Sequence, residues 1–317
     1  MKDKVIHEIR FEPKSTKINE NETRRSDFIK IANNKNINAM SKIVKPNKTN
    51  VEIKKDEINN TETLIVNSET SFILEELGLK QVTQKTIMLL DFLTEGLLVN
   101  NTYKQKENID PKVSFSLEYY AKRFGRKYDS KYVRTALRKE LTQEFSRLQS
   151  MKIVIKKEDG GEISLSLASG YNTSGKIMSV NLDIDLAVRI LDSPLTQLPK
   201  TSFLDNENYE LSRKLSTHYH LDGNIKKGNN NILSVKTLLE ASRTKIPSYD
   251  DVMRSNRAWK KRIVNKLDEI LNEISKQQGI EWEYCLSKKE PLEVQLKDIK
   301  TYDDFLKLYV KYEYKND

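Results

Sequence analysis

The sequence predicts an α+β, mainly helical protein in which one small unit of helices and strands occurs twice behind a disordered N-terminal arm. Three features indicate this fold. Several segments carry apolar residues at the spacing of an amphipathic helix, and serine residues stand where such helices begin. The stretch Glu158–Gly161 (EDGG), between two apolar segments, is typical of a β-hairpin turn. The order of elements in residues 71–200 recurs in residues 201–317.

Residues 1–70 are predicted to form the disordered polar arm. They are rich in Asn, Lys, Glu and Thr, and their short apolar groups show no sustained helical or strand period. A segment of this kind buries too little apolar surface to offset the entropy that is lost on ordering. A short strand near Val5–Phe11 is the one element that we expect there.

Residues 71–200 are predicted to form the first domain, including a linking segment with a strand over Lys176–Leu182 and a helix over Leu186–Leu191. Before that segment, the predicted elements are a helix (Thr83–Val99), a short strand (Val113–Phe115), two serine-capped helices (Leu117–Phe124 and Ser130–Met151) and a β-hairpin (Lys152–Leu167). Helix, strand, two helices and hairpin, in that order, are typical of a winged helix-turn-helix.

Residues 201–317 are predicted to repeat this order as a second domain. The predicted elements are a helix (Asn208–Tyr219), a short strand (Asn231–Leu233), a short helix (Val235–Ser242), a long helix (Ser248–Gln278), a strand (Ile280–Tyr284) and a last strand or short helix. The sequence therefore predicts two tandem winged helix-turn-helix domains.

The composition favours a cytoplasmic protein that binds a polyanion. The chain has 317 residues, with 55 Lys and Arg against 46 Asp and Glu, a net charge of +9. Such a chain is expected to meet nucleic acid or an acidic membrane surface. It has no apolar run long enough to span a bilayer and a charged N-terminus without a signal-peptide core. With 1 Cys, 3 His and no glycine-rich phosphate loop, no cofactor is expected.

The positive charge is concentrated on the longer helix of each domain. Residues 119–157 contain 12 Lys and Arg but 3 Asp and Glu, and residues 243–266 contain 8 and 2. In a helix-turn-helix, the second helix of the pair lies in the major groove of DNA. We therefore predict that the DNA-binding residues are Arg126, Lys127, Lys131, Tyr132, Arg134, Thr135, Arg138, Lys156, Lys157, Arg254, Asn256, Arg257, Lys260 and Lys261.

Spacing supports these assignments. Lys131, Arg134 and Arg138 stand at i, i+3 and i+7, and Arg254, Arg257 and Lys261 repeat that pattern, so each set lies on one helix face. Arg126 and Lys127 precede the first such helix, and Lys156 and Lys157 stand at the tip of the predicted wing; all four are candidates for phosphate contacts. A single basic face is more often simply solvated, and arginine stems can cover the edge of a core. Two faces at matching positions favour DNA.

Catalytic alternatives receive less support. His218-Tyr219-His220 resembles the metal-binding triplet of rolling-circle nicking relaxases, which use a tyrosine nucleophile. Here the triplet ends a predicted helix, where alternate residues do not share a face. Asp183 and Asp185 lack the further carboxylates that a metal site needs. We expect that the protein is not an enzyme.

Two segments resemble the tandem winged-helix replication initiators of plasmids and related mobile elements in low-GC bacteria. The resemblance is strongest over residues 207–284, which include NYELSRKLSTHYHLDGNIKKGNNNILSVKTLLEAS and IPSYDDVMRSNRAWKKRIVNKLDEILNEI, and residues 82–169 are similar to the N-terminal unit of that family. It implies non-catalytic binding to double-stranded DNA at origin repeats, recruitment of host helicase or initiator proteins, and, in many members, a homodimer. A transcriptional repressor without a replication role needs the same groove contacts, so that alternative stays open.

Overall fold

A computed structural model describes residues 28–44, 51–75, 82–101, 108–157, 159–204, 208–220, 222–242, 245–254, 258–287, 296 and 299–314. The chain divides into two compact units, Met1–Pro194 (unit 1) and Leu195–Asp317 (unit 2). Both units combine helices with antiparallel sheets, so the α+β class is confirmed. None of the helices in these described ranges is long and apolar enough to cross a bilayer.

The elements of unit 1 are, in chain order, β1 (Phe28–Ala32), α1 (Lys35–Ala39), β2 (Glu52–Asp56), β3 (Thr61–Ile65), β4 (Thr70–Glu75), α2 (Gln84–Asn101), β5 (Lys112–Ser116), α3 (Leu117–Arg123), α4 (Lys131–Gln149), β6 (Met151–Lys156), β7 (Glu162–Ser166), β8 (Ala168–Asn172), β9 (Ile177–Leu182) and α5 (Ile184–Leu191). Helices α3 and α4 begin at the predicted serine caps, because Ser116 accepts from the amide of Tyr119 and Ser130 from that of Val133. Asp183 caps α5 in the same way.

The prediction of a disordered arm over residues 1–70 is wrong for the part that the structure describes. Strand β1 buries Ile29 and Ile31, and the helical turn after α1 buries Met40 and Ile43. Strands β2 and β3 join the sheet that β4 and β6 form. Strands β2 and β3 pair with their neighbours along the chain, but β4 pairs with the distant strand β6, so the local period of residues 1–70 does not reveal what supports this sheet. The strand expected near Val5–Phe11 lies outside the described residues.

One sheet of unit 1 contains the predicted hairpin as its edge. Strands β6 and β7 pair antiparallel, as predicted, but the sheet continues through β4, β3 and β2 in the order β2-β3-β4-β6-β7. Its buried face aligns Leu64, Phe72, Ile153 and Leu165 across four strands. The predicted wing is therefore part of a five-stranded sheet.

A second sheet of unit 1 has the order β5-β9-β8, all antiparallel. The hairpin that pairs with the strand before α3 is thus β8–β9, and β6–β7 is an addition between α4 and β8. We call residues Asn172–Lys176 the hairpin tip. Gly175 has a φ of +75° there, a left-handed conformation that glycine adopts without steric cost.

An aromatic cluster fills the core between these helices and β5. Phe92 of α2 is completely buried, and its ring centroid lies 4.9 Å from that of Phe115, 5.9 Å from Tyr120 and 5.7 Å from Phe124. The apolar stripe predicted for α4 is buried at Leu137, Leu141, Phe145 and Leu148. The opposite face of α4 is therefore left to solvent.

The elements of unit 2 are β10 (Leu195–Pro199), α6 (Tyr209–Tyr219), α7 (Asp222–Lys226), β11 (Ile232–Ser234), α8 (Val235–Ala241), α9 (Tyr249–Arg254), α10 (Asn265–Gln278), β12 (Ile280–Cys285), α11 (Tyr302–Leu306) and β13 (Tyr309–Tyr314). The prediction of one helix over Ser248–Gln278 is wrong, because Ala258 is not helical and a π-helical turn, Lys260–Val264, leads into α10. The apolar period of the sequence does not reveal such a turn, which inserts one residue into the helical repeat.

The two units share an order of elements. Unit 1 runs α2, β5, α3, α4, β8 and β9, and unit 2 runs α6, β11, α8, α10, β12 and β13. Each three-stranded sheet places its last strand between the other two, as β5-β9-β8 and β11-β13-β12. The repeated order predicted from the sequence is present, with different strands in the hairpin of unit 1.

Candidate nucleic-acid interface

Helix α4 presents one exposed cationic face, which we define as Lys131, Tyr132, Arg134, Thr135 and Lys139. Tyr132 is 83% exposed, which is unusual for a large aromatic side chain. Lys131, Tyr132, Thr135 and Lys139 point away from the apolar stripe, and Arg134 lies in the first turn, before the buried part of that stripe begins at Leu137. Lys139, which sequence reasoning did not select, lies two turns after Tyr132 on the same face.

No acidic residue interrupts this face. The first carboxylate of α4 is Glu140, and it is half-buried and ion-paired below the face. Lys131, Arg134 and Lys139 therefore concentrate positive charge over the first turns of the helix. The guanidinium carbon of Arg134 lies 5.6 Å from the centroid of the Tyr128 ring, a cation–π contact that steadies the side chain.

Arg126, predicted to contact phosphate, is hydrogen-bonded within the protein. Its Nη1 and Nη2 donate to Oε1 and Oε2 of Glu140, each at 3.2 Å, and Lys85 Nζ lies 3.1 Å from the same carboxylate. Burial alone raises the pKa of Glu140, but the hydrogen bonds from Arg126 and Lys85 outweigh it and lower the pKa. Arg126 therefore connects the segment before α4 to α4 itself.

We expect Arg126→Ala to lower the free energy of unfolding at pH 7 by about 1–2 kcal/mol, with the partial exposure of the pair reducing the effect. The lowered pKa of Glu140 means that the pair stabilises the folded state above the usual pKa of a glutamate and loses that effect on acidification. The difference from wild type should thus shrink between about pH 5 and pH 3. Denaturant unfolding of wild type and variant at pH 7, pH 5 and pH 3 measures this difference in the free energy of unfolding. The exposed neighbour Lys127→Ala is the control, and equal losses for both variants contradict the assignment.

Arg138, predicted to face DNA, is hydrogen-bonded to the hairpin tip. Its Nη1 donates to the carbonyl of Thr173 at 2.7 Å and its Nη2 to the carbonyl of Gly175 at 2.8 Å. The hydroxyl oxygens of Thr142 and Thr173 lie 3.2 Å apart. Helix α4 and the β8–β9 hairpin therefore form one continuous surface.

The exposed lysines at the tips of the two hairpins of unit 1 belong to different sheets. Lys156 and Lys157 are exposed, as predicted, but they belong to the β6–β7 hairpin of the five-stranded sheet. Lys176 is exposed at the hairpin tip beside Gly175, whose carbonyl Arg138 holds. Sequence reasoning missed Lys176, although Ser174-Gly175-Lys176 between two strand-like segments is a recognisable turn signal.

Unit 2 exposes a second group of cations. Arg254 ends α9, and Lys260 and Lys261 begin the helical segment that continues as α10; all three are exposed, as is Arg262, which the sequence analysis did not select. Lys260 Nζ lies 5.9 Å from the centroid of the Trp259 ring. Asn256 and Arg257 lie outside the described residues.

The first histidine of the His218-Tyr219-His220 triplet forms contacts within unit 2. His218 Nδ1 lies 2.9 Å from the carbonyl oxygen of Asn230 and 3.2 Å from the hydroxyl of Tyr312. His220 is the C-cap residue of α6, and burial lowers its pKa. Within the described ranges, no three His, Cys, Asp or Glu side chains come together as metal ligands.

No protein-family model matches the chain, and no curated protein matches its sequence. Two crystal structures of domains 2 and 3 of RctB are among the solved structures that match. One, of selenomethionine derivatives, has a TM-score of 0.44 at 10% identity and covers 86% of this chain and 96% of that chain. The other has a TM-score of 0.41 at 8% identity, with coverages of 87% and 95%. Because both TM-scores lie below 0.5, the function is inferred from the residues of this chain.

Proposed function

We propose that the protein binds double-stranded DNA sequence-specifically and acts, without catalysis, as a replication initiator. The observation that carries this proposal is the exposed face of α4, which holds Lys131, Arg134 and Lys139 with no intervening carboxylate and which is hydrogen-bonded through Arg138 to the hairpin tip. A helix of this kind fits the major groove, which is about 12 Å wide and presents a distinct pattern for each base pair.

Each unit is proposed to be a winged helix-turn-helix. In unit 1, α3 and α4 form the helix pair, and the β8–β9 hairpin, which pairs with β5, forms the wing. This assignment moves the wing from Lys156 and Lys157 to the hairpin tip with Lys176. In unit 2, α8 and the helical segment that begins at Trp259 form the pair, and the antiparallel strands β12 and β13 take the place of β8 and β9.

The exposed residues of α4 have complementary chemistry for a groove. Arg134 can form the forked pair with O6 and N7 of guanine, and the methyl group of Thr135 and the ring of Tyr132 can contact a thymine methyl group. Lys131 and Lys139 neutralise phosphates and add affinity without sequence information. Arg254, Lys260, Lys261 and Arg262 supply the corresponding cations of unit 2.

The biological setting rests on the sequence resemblance. It supports a target of repeated sites in the origin of a plasmid or mobile element, with the two units on successive grooves about 34 Å apart along the DNA. It also supports a homodimeric form and host helicase or initiator proteins as partners. A repressor role is the remaining alternative for the same DNA contacts.

A footprint on DNA flanking the gene tests the proposal. We expect protected segments of about 20 base pairs that recur in tandem, as two recognition helices one turn apart require. With about 6–10 phosphate contacts, the affinity should fall about 10³–10⁵-fold between 50 and 200 mM salt. Uniform protection, or binding that does not respond to salt, contradicts sequence-specific groove binding. Replication of a plasmid that carries the protected DNA, when the protein is supplied in trans, separates an initiator from a repressor.

A further inference from the structure

We propose that Arg138 is a positioning residue that fixes the hairpin tip to α4, so that Lys176 and the cationic face of α4 meet DNA as one preformed surface. In this role Arg138 does not itself contact DNA. The inference rests on the proposed DNA-binding function, and it changes the role that helical spacing assigned to Arg138.

The geometry of the guanidinium group supports this role. Its two terminal nitrogens donate to two carbonyls of the same turn, Thr173 at 2.7 Å and Gly175 at 2.8 Å. Short hydrogen bonds from a charged donor are stronger than neutral ones, and the planar fork fits two acceptors that a lysine could not bridge. With both terminal nitrogens directed to the tip, Arg138 is poorly placed to read a base.

Other hydrogen bonds also hold the hairpin tip, Asn172–Lys176. Asn172 Oδ1 accepts from the amide of Ser174 at 2.8 Å, and the Leu117 amide donates to the carbonyl of Lys176 at 3.4 Å. Thr142, one turn after Arg138 on α4, contacts the Thr173 hydroxyl. The backbone of the tip is therefore tied to α3 and α4, while the side chain of Lys176 remains exposed.

Fixing the tip has an energetic consequence for binding. A free loop loses conformational entropy when its lysine binds phosphate, whereas a loop already held by Arg138 has lost most of it before binding. Removing Arg138 should thus weaken the contribution of Lys176. The two residues should act as one unit, and their effects on affinity should not add.

A double-mutant cycle tests this coupling with the full chain and the footprinted duplex. Lys176→Ala and Arg138→Ala should each reduce the slope of log affinity against log salt by about 1, and the double variant should also reduce it by about 1. Lys139→Ala combined with Lys176→Ala is the matched control, and it should reduce the slope by about 2, because both lysines are proposed to contact phosphates. A slope reduced by about 2 in the Arg138→Ala, Lys176→Ala variant overturns the proposal, because Arg138 then contacts DNA itself.

The conservative variant gives a second, independent criterion. Arg138→Lys keeps the charge but cannot bridge two carbonyls, so it should bind DNA like Arg138→Ala. Binding of Arg138→Lys that equals wild type overturns the positioning role, since charge alone then suffices.

Hydrogen exchange separates this inference from the proposed function, because it needs no DNA. The Ser174 amide should exchange faster in Arg138→Ala and Arg138→Lys than in wild type and Arg134→Ala. Unchanged exchange in the Arg138 variants rejects the fixed tip even if the protein binds DNA. Faster exchange in a chain that binds no DNA rejects the proposed function and retains the contact.

Discussion

Replacing Lys131, Arg134 and Lys139 together by glutamine is expected to reduce the slope of log affinity against log salt by about 1.8, at about 0.9 for each of the two phosphate contacts that Lys131 and Lys139 lose. The three side chains are exposed on one face of α4, where no carboxylate offsets their charge. Glutamine keeps a long polar side chain and a good helix propensity, so the fold should be preserved. Fluorescence anisotropy at several salt concentrations measures the slope.

The matched control removes the same charge elsewhere. Lys54, Lys276 and Lys307 are also exposed, and none lies on α4 or at a hairpin tip. Their joint replacement by glutamine lowers the net charge equally but should change the slope by less than about 1, because distant charges are screened within roughly 8–10 Å. Equal slopes for the two triple variants contradict a defined interface and indicate that net charge alone drives binding.

Sequence reasoning succeeded where neighbouring residues determine the structure. The caps Ser116, Ser130 and Ser234 act within three residues of their own position, and each begins a helix as the local pattern predicts. The apolar stripe of α4 follows from its spacing alone, so its opposite, exposed face follows as well. Lys131, Tyr132 and Thr135 are exposed for this reason, whereas Arg134 is exposed because it lies in the first turn, before the buried part of the stripe begins at Leu137.

Sequence patterns do not reveal contacts between residues that are distant in sequence. Arg126 pairs with a residue 14 positions away, and Arg138 with one 35 positions away, so their spacing on a helix does not reveal that both are hydrogen-bonded within the protein. The same is true of strand pairing. Strand β4 pairs with β6 and β5 with β9, and these pairings decide that the arm is ordered and which hairpin adjoins the helices.

Phe92→Ala is expected to lower the free energy of unfolding by about 3–5 kcal/mol, because it removes a buried aromatic ring and leaves a cavity. Phe92 is completely buried, and its ring meets those of Phe115, Tyr120 and Phe124 in edge-to-face contacts. Each of these contacts stabilises the fold beyond the burial of apolar area. Equilibrium unfolding in urea measures the change.

Val99→Ala on the same helix provides the control, since Val99 is 51% exposed and alanine has the higher helix propensity. Its effect should stay within about 0.5 kcal/mol. A loss below about 1 kcal/mol for Phe92→Ala contradicts the packing of α2 against β5 and α3.

Because α3 precedes α4 and the same aromatic cluster supports both, Phe92→Ala should also weaken DNA binding near its unfolding midpoint, with the salt slope of the folded fraction unchanged. That combination distinguishes a residue that supports the interface through the core from one that contacts DNA.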